Sequence, residues 1–243
     1  MLLRRITKHL KEQNWFAVGL DFLIVVVGVF MGFQVQQWNE DFSDKADAIK
    51  YLKRLSADMD ISISRNNSII LRNQRQSNML NLVLEVLDTC QLDPDKEPAF
   101  VAGLYFLGKY DMPVMVMGTI DELNSTGKFL LIGDIELRLL MTEAVRHYQG
   151  VLAVDPQLIA RSMPSVNHVR SHVRFNLVEP SFNLREIDPD LVMYDFDEIC
   201  ADKQFDNAVA QVRETMFAIT RFNQAVLNRQ VVLQDAIKAK LNK

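Results

Sequence analysis

Residues 15–33 read WFAVGLDFLIVVVGVFMGF, and the reading of this run, Trp15 to Phe33, governs the rest of the chain. Asp21 is the single charge in it. A helix of that length rises about 28 Å at roughly 1.5 Å per residue, close to the hydrocarbon thickness of a bilayer. A long polar stretch precedes the run, and QVQQWNEDF comes after it where a cleavable leader would carry small residues. The segment is therefore predicted to be an uncleaved anchor.

The flanks predict its orientation. Arg4, Arg5, Lys8 and Lys11 face one acid, Glu12, before the run, whereas Glu40, Asp41, Asp44 and Asp47 lie after it. Basic residues hold a short terminus in the cytoplasm. The expected division is a cytoplasmic tail over 1–14, a transmembrane helix over 15–36 and a body over 37–243 beyond the membrane, periplasmic if the membrane is a bacterial inner membrane. Trp15 and Trp38, the two tryptophans, bracket the run as interfacial anchors do, or else pack on its amphipathic ends.

Composition narrows the class. The chain has 243 residues, 49% hydrophobic and 24% charged, with a formal charge of −4. Without an excess of basic residues, nucleic acid is excluded as an expected partner. Nine Gly and seven Pro are few for a turn-rich β sandwich, and two Cys cannot build a disulfide scaffold or a four-Cys zinc site. A mainly all-α protein is predicted.

Helical periodicity supports that class. Trp38, Phe42, Ala46, Ile49, Leu52, Leu55, Met59 and Ile63 recur every three or four residues. The pattern weakens at Asn66 and Asn67, resumes at Ile70 and runs through Leu80, Val83, Leu84 and Leu87. It predicts one long helix, kinked near Asn66 and stopped by Pro94 and Pro98. A short helix and an extended piece are expected over 99–117, a capping box at Thr119 and Glu122, a helix stop at Gly127 and a new helix near Asp134. Pro156 and Pro164 should punctuate the stretch beyond Tyr148, and Pro180 to Pro189 reads as a loop. A second long amphipathic helix is expected from Phe205 to Leu241, its face marked by Ala208, Val212, Met216, Ile219, Phe222, Val226 and Val231.

The run from Asp21 to Glu40, ending in FQVQQWNE, resembles an uncharacterised family of bacterial single-pass envelope proteins whose anchor closes on a motif like IGI-x-IALQ-x-NNWNE. DELNSTGKFLLIGDIELRLLMTEAVRHY is similar to the same family's turn and helix, with Gly127, Ile132, Leu137 and Tyr148 at matching positions. Gln36 and Gln37 stand where Asn-Asn is usual, Gly32 for Ala and Asp21 for Glu. The resemblance implies a single membrane pass and a helical outer domain, and it brings no established activity.

Four constellations bear on chemistry. Asp21 costs on the order of 3 kcal/mol at mid-membrane and less near an interface. Three readings stand open for it: the headgroup region, a contact with another helix, or a proton path. Gly28 and Gly32 form GxxxG, which lets two helix backbones approach closely. Cys90 ends the first long helix and Cys200 precedes the last, so either a bridge in an oxidising compartment or two buried thiols fits. His168 and His172 share a face at i, i+4, with His147 or Glu143 as conceivable further ligands. Arg170 and Arg174 interleave them, however, so this stretch is read as a solvated, weakly basic face, and neither metal nor cofactor is expected. STGK at 125–128 lacks the glycine and hydroxyl of a phosphate loop, and no hydrolase, zinc-protease or dinucleotide motif occurs.

The expectation is a membrane-anchored, non-catalytic scaffold or interaction protein. Its expected partners are the lipid bilayer and either further copies of itself or other envelope proteins. A ligand-sensing outer domain and an Asp21-dependent proton-motive subunit are the alternatives.

Overall fold

A computed structural model describes residues 15–176 and 189–242. Its compact units divide between Tyr51 and Leu52. The protein is mainly all-α. Helix α1 spans Trp15–Thr89, α2 Glu97–Phe106, α3 Gly118–Ser125, α4 Ile135–Ser171, α5 Phe196–Ala201 and α6 Lys203–Leu241. Strands β1 (Val173–Phe175) and β2 (Val192–Tyr194) pair antiparallel, Arg174 opposite Met193. The predicted loop between Pro180 and Pro189 lies almost wholly outside the described residues.

In the first unit the helix exposes its apolar side chains, Phe22, Phe30, Phe33, Trp38 and Phe42 among them. By length and composition it is the one described helix suited to crossing a membrane. Gln36 donates to Glu40 one turn on, at 2.9 Å.

The second unit is a bundle. Within it, α6 runs antiparallel to both α1 and α4, as three pairs along each interface show. Asn81 meets Arg213, Asn66 meets Gln230 and Asp60 meets Lys238 on one side. On the other, His168 meets Asp202, Ser165 meets Gln211 and Glu143 meets Arg229. Leu55, Met59, Leu80, Phe100, Leu123, Met141, Val166, Phe205, Met216 and Ile237 fill the interior. Helix α2 lies so close to α1 that a Cβ on Gly103 would sit 2.6 Å from Val83 Cγ2 and 3.0 Å from the Met79 carbonyl oxygen.

Aspartates start the later helices. Asp134 accepts from the Glu136 and Leu137 amides, Asp195 from Glu198 and Asp202 from Gln204, each satisfying donors that a helix N-terminus leaves unpaired. Gly127 comes after α3 in the left-handed conformation, φ 71°, as a helix stop requires.

Three local expectations are corrected. Helix α1 continues across Asn66, which is wholly buried. It marks a hydrogen-bonded seam: Asn66 donates to the Val114 carbonyl and accepts from the Val114 amide, both at 2.8 Å, as a neighbouring strand would. Gln230 adds a second donor to that carbonyl and accepts from Asn66, while Asn73 and Asn223 both donate to the Asp111 carbonyl. Ser62 accepts from the Val116 amide. The extended segment between α2 and α3 is thereby satisfied inside the bundle without forming a sheet.

The capping box at Thr119 does not form. Met117 is the N-cap, and the Thr119 amide donates to Asp58 instead. Pro156 and Pro164 lie inside α4. Each deprives the carbonyl four residues earlier of its ladder donor, at about 3 kcal/mol. Burial of Val151, Val166 and Val169 along the same helix offsets that cost. On α6, Val231 is exposed and Asn223, Gln230 and Gln234 are buried, because the seam takes polar residues at positions where periodicity alone asks for apolar ones.

Candidate functional site

Nothing lies within 4 Å of a Cβ added at Gly28 or Gly32, so the GxxxG backbone is open. Trp38 is 76% exposed. The side chains of Trp15 and Asp21 fall outside the described residues.

Chemistry concentrates in the second unit, where α1 and α4 end and α6 begins. Cys90 and Cys200 are joined by a disulfide, with Cα atoms 5.8 Å apart and a sequence separation of 110. Cys90 has φ 48°, a left-handed conformation that side chains other than glycine adopt at a cost of about 1 kcal/mol. There it turns the chain out of α1.

Beside the bridge, α4 delivers His168 from its last turn and His172 from its C-cap. The start of α6 delivers Asp202. His168 Nε2 lies 2.8 Å from Asp202 Oδ2, and His172 Nε2 lies 3.5 Å from the same oxygen and 4.0 Å from Glu198 Oε1. The two imidazoles are only 21% and 20% exposed, with ring centroids 4.8 Å apart. Phe205 meets His172 edge-on from the core at 5.7 Å. A solvated, weakly basic face is therefore corrected to a mostly buried imidazole pair held against carboxylates. His168 beside Asp202 holds that carboxyl below the usual carboxylate range, aided by the Gln204 and Phe205 amides and opposed by partial burial.

His172 Nδ1 lies 3.0 Å from the His168 carbonyl oxygen and 3.2 Å from Ser171 Oγ. The Ser171 hydroxyl itself donates to that carbonyl. A carbonyl only accepts, so this contact places a proton on Nδ1 and, in the neutral ring, a lone pair on Nε2. That lone pair points toward two carboxylates.

His147 and Glu143 do not join this cluster. Glu143 pairs with Arg229 at 3.1 Å, and His147 Nε2 is buried without a hydrogen-bond partner among the described residues. Their place is taken by Asp202 and Glu198, which helical spacing around the histidines does not reach. The signal that could find them is Glu198 and Asp202 at i, i+4, the spacing of the two histidines, on either side of Cys200.

Asp155 on α4 is a further buried acid. Both its oxygens lack partners among the described residues, and burial pushes its carboxyl up to about 6. The concave surface between α4 and α6 bordered by Arg146, His147 and Phe222 is an open groove.

A scan against family models and searches among characterised proteins and solved structures found no match to this chain.

Proposed function

We propose that this chain is a bacterial inner-membrane protein with a single N-in anchor and a periplasmic helical body, acting through protein contacts without catalysis. The observation that carries the reading is the exposed apolar run through Phe22, Phe30 and Phe33, which no described residue covers. A surface of that kind calls for lipid or for another helix. The disulfide supports the orientation, because bridges persist in oxidising compartments such as the periplasm. The open backbone at Gly28 and Gly32 supports self-association within the membrane.

Two measurements in the same cells test it. An alkaline phosphatase fusion after residue 60 is expected to be active, and an inactive fusion overturns the orientation. In-membrane crosslinking of the full chain is expected to capture a homo-oligomer or another envelope protein, with any self-crosslink weakened by Gly28→Leu. A hydrolase or transferase activity of the purified chain would refute the non-catalytic reading.

A further inference from the structure

We propose that His168, His172 and Asp202 bind a divalent transition-metal ion of the zinc class, with Glu198 or water completing the shell. The potential ligand atoms of the three residues lie within 4.8 Å of one another. A tetrahedral zinc ion with bonds of about 2.0–2.2 Å holds its ligand atoms roughly 3.3 Å apart. To surround such an ion, the 2.8 Å contact between His168 and Asp202 must open slightly and the wider pair must close. Glu198 Oε1 lies 4.0 Å from His172 Nε2, outside this group of three.

With Nδ1 on the His168 carbonyl, His172 presents Nε2 to the carboxylate oxygens of Asp202 and Glu198. Pinning the distal ring nitrogen on a carbonyl is also how proteins fix the tautomer of a metal-binding histidine. Asp202 is prepared in the same manner. Its Oδ1 accepts from the Gln204 amide as a helix cap, leaving Oδ2 toward the imidazoles.

Imidazole with carboxylate selects zinc, cobalt or nickel over calcium and magnesium, which prefer all-oxygen shells. Of the interleaved arginines, Arg170 is two residues from His168 and so about 200° around the helix from it, and Arg174 lies on β1 with its side chain exposed. Bound metal would tie the end of α4 to the α5–α6 corner next to the Cys90–Cys200 bridge.

This inference stands independently of the membrane reading. The full chain, purified in detergent and stripped with a chelator, is titrated with Co2+ and then with Zn2+. One equivalent of Co2+ is expected to give the visible absorption of a low-coordinate site with imidazole ligands, and Zn2+ to abolish it. Asp202→Asn keeps a competent helix cap but removes the carboxylate. It and His168→Gln are each expected to weaken binding by ~10-fold or more, at wild-type helicity by circular dichroism. His147→Gln should leave binding unchanged.

The wild-type titration decides the matter even where a variant misfolds. A helical wild-type chain that shows no cobalt absorption and retains no zinc overturns the site. Equal affinity in wild type, Asp202→Asn and His168→Gln overturns it too, by placing the ion elsewhere.

Discussion

Asp155 shows what one side chain contributes when the fold gives it no partner. An unfolded aspartate titrates near 3.9, whereas burial raises this one to about 6. Below about pH 3 the carboxyl is neutral in both states, so the fold carries no penalty. As pH climbs from about 3 through about 6, the unfolded chain ionises first and the folded state loses ground. Asp155→Asn is accordingly expected to stabilise the body by about 1–2 kcal/mol at pH 7.5 and by almost nothing at pH 3. Thermal unfolding of both proteins at the two pH values measures this, and an equal difference at both would exclude ionisation as the cause. Nothing in the sequence marks Asp155 as buried, because an acid directly before a proline has the pattern of an exposed turn. Only its wholly buried location distinguishes it.

At the scale of elements, periodicity locates the long helices and fails where polar side chains serve as backbone partners. Asn66 looks like a weak point because asparagine interrupts an apolar stripe. Its amide instead meets both the N–H and the C=O of Val114, a contact separated by 48 residues that no local pattern records. The two members of the seam should differ in importance. Asn66→Ala strands the Val114 amide and the Gln230 side-chain oxygen, for an expected loss of roughly 2–4 kcal/mol. Gln230→Ala leaves Asn66 still paired with Val114 and should cost roughly 1–2 kcal/mol. Chemical denaturation of both variants gives the ranking, and a larger loss for Gln230→Ala would contradict it. The histidine site is half legible for the same reason. His168 and His172 share a helix and can be found by spacing, whereas Asp202 meets them only after the chain has turned through β1, β2 and α5.

For the body as a whole, the disulfide is the longest covalent closure. Its sequence separation of 110 predicts about 3–5 kcal/mol of stabilisation from restricting the unfolded chain. Reduction, or Cys90→Ser with Cys200→Ser, is expected to lower the melting temperature while helicity at low temperature is kept. An unchanged melting temperature after verified reduction would show that the bridge adds nothing to stability. Periodicity puts both cysteines at helix ends but leaves bridge and free thiols equally open, since helix lengths read from pattern are too uncertain to bring two Cα atoms together. Extension of α4 through both prolines to Ser171 and an unbroken α1 settle those lengths.

The seam also sets the order in which the body is completed during synthesis. Val114 meets Asn66 of α1 early, but the second donor to its carbonyl is Gln230 and the Ser56 carbonyl receives Gln234, 116 and 178 residues further along the chain. Asn223 and Cys200 come equally late. A nascent chain emerging from its N-terminus therefore exposes an incompletely paired polar seam until α6 arrives, which makes α6 the lock of the body and the state just before it the one most in need of a chaperone.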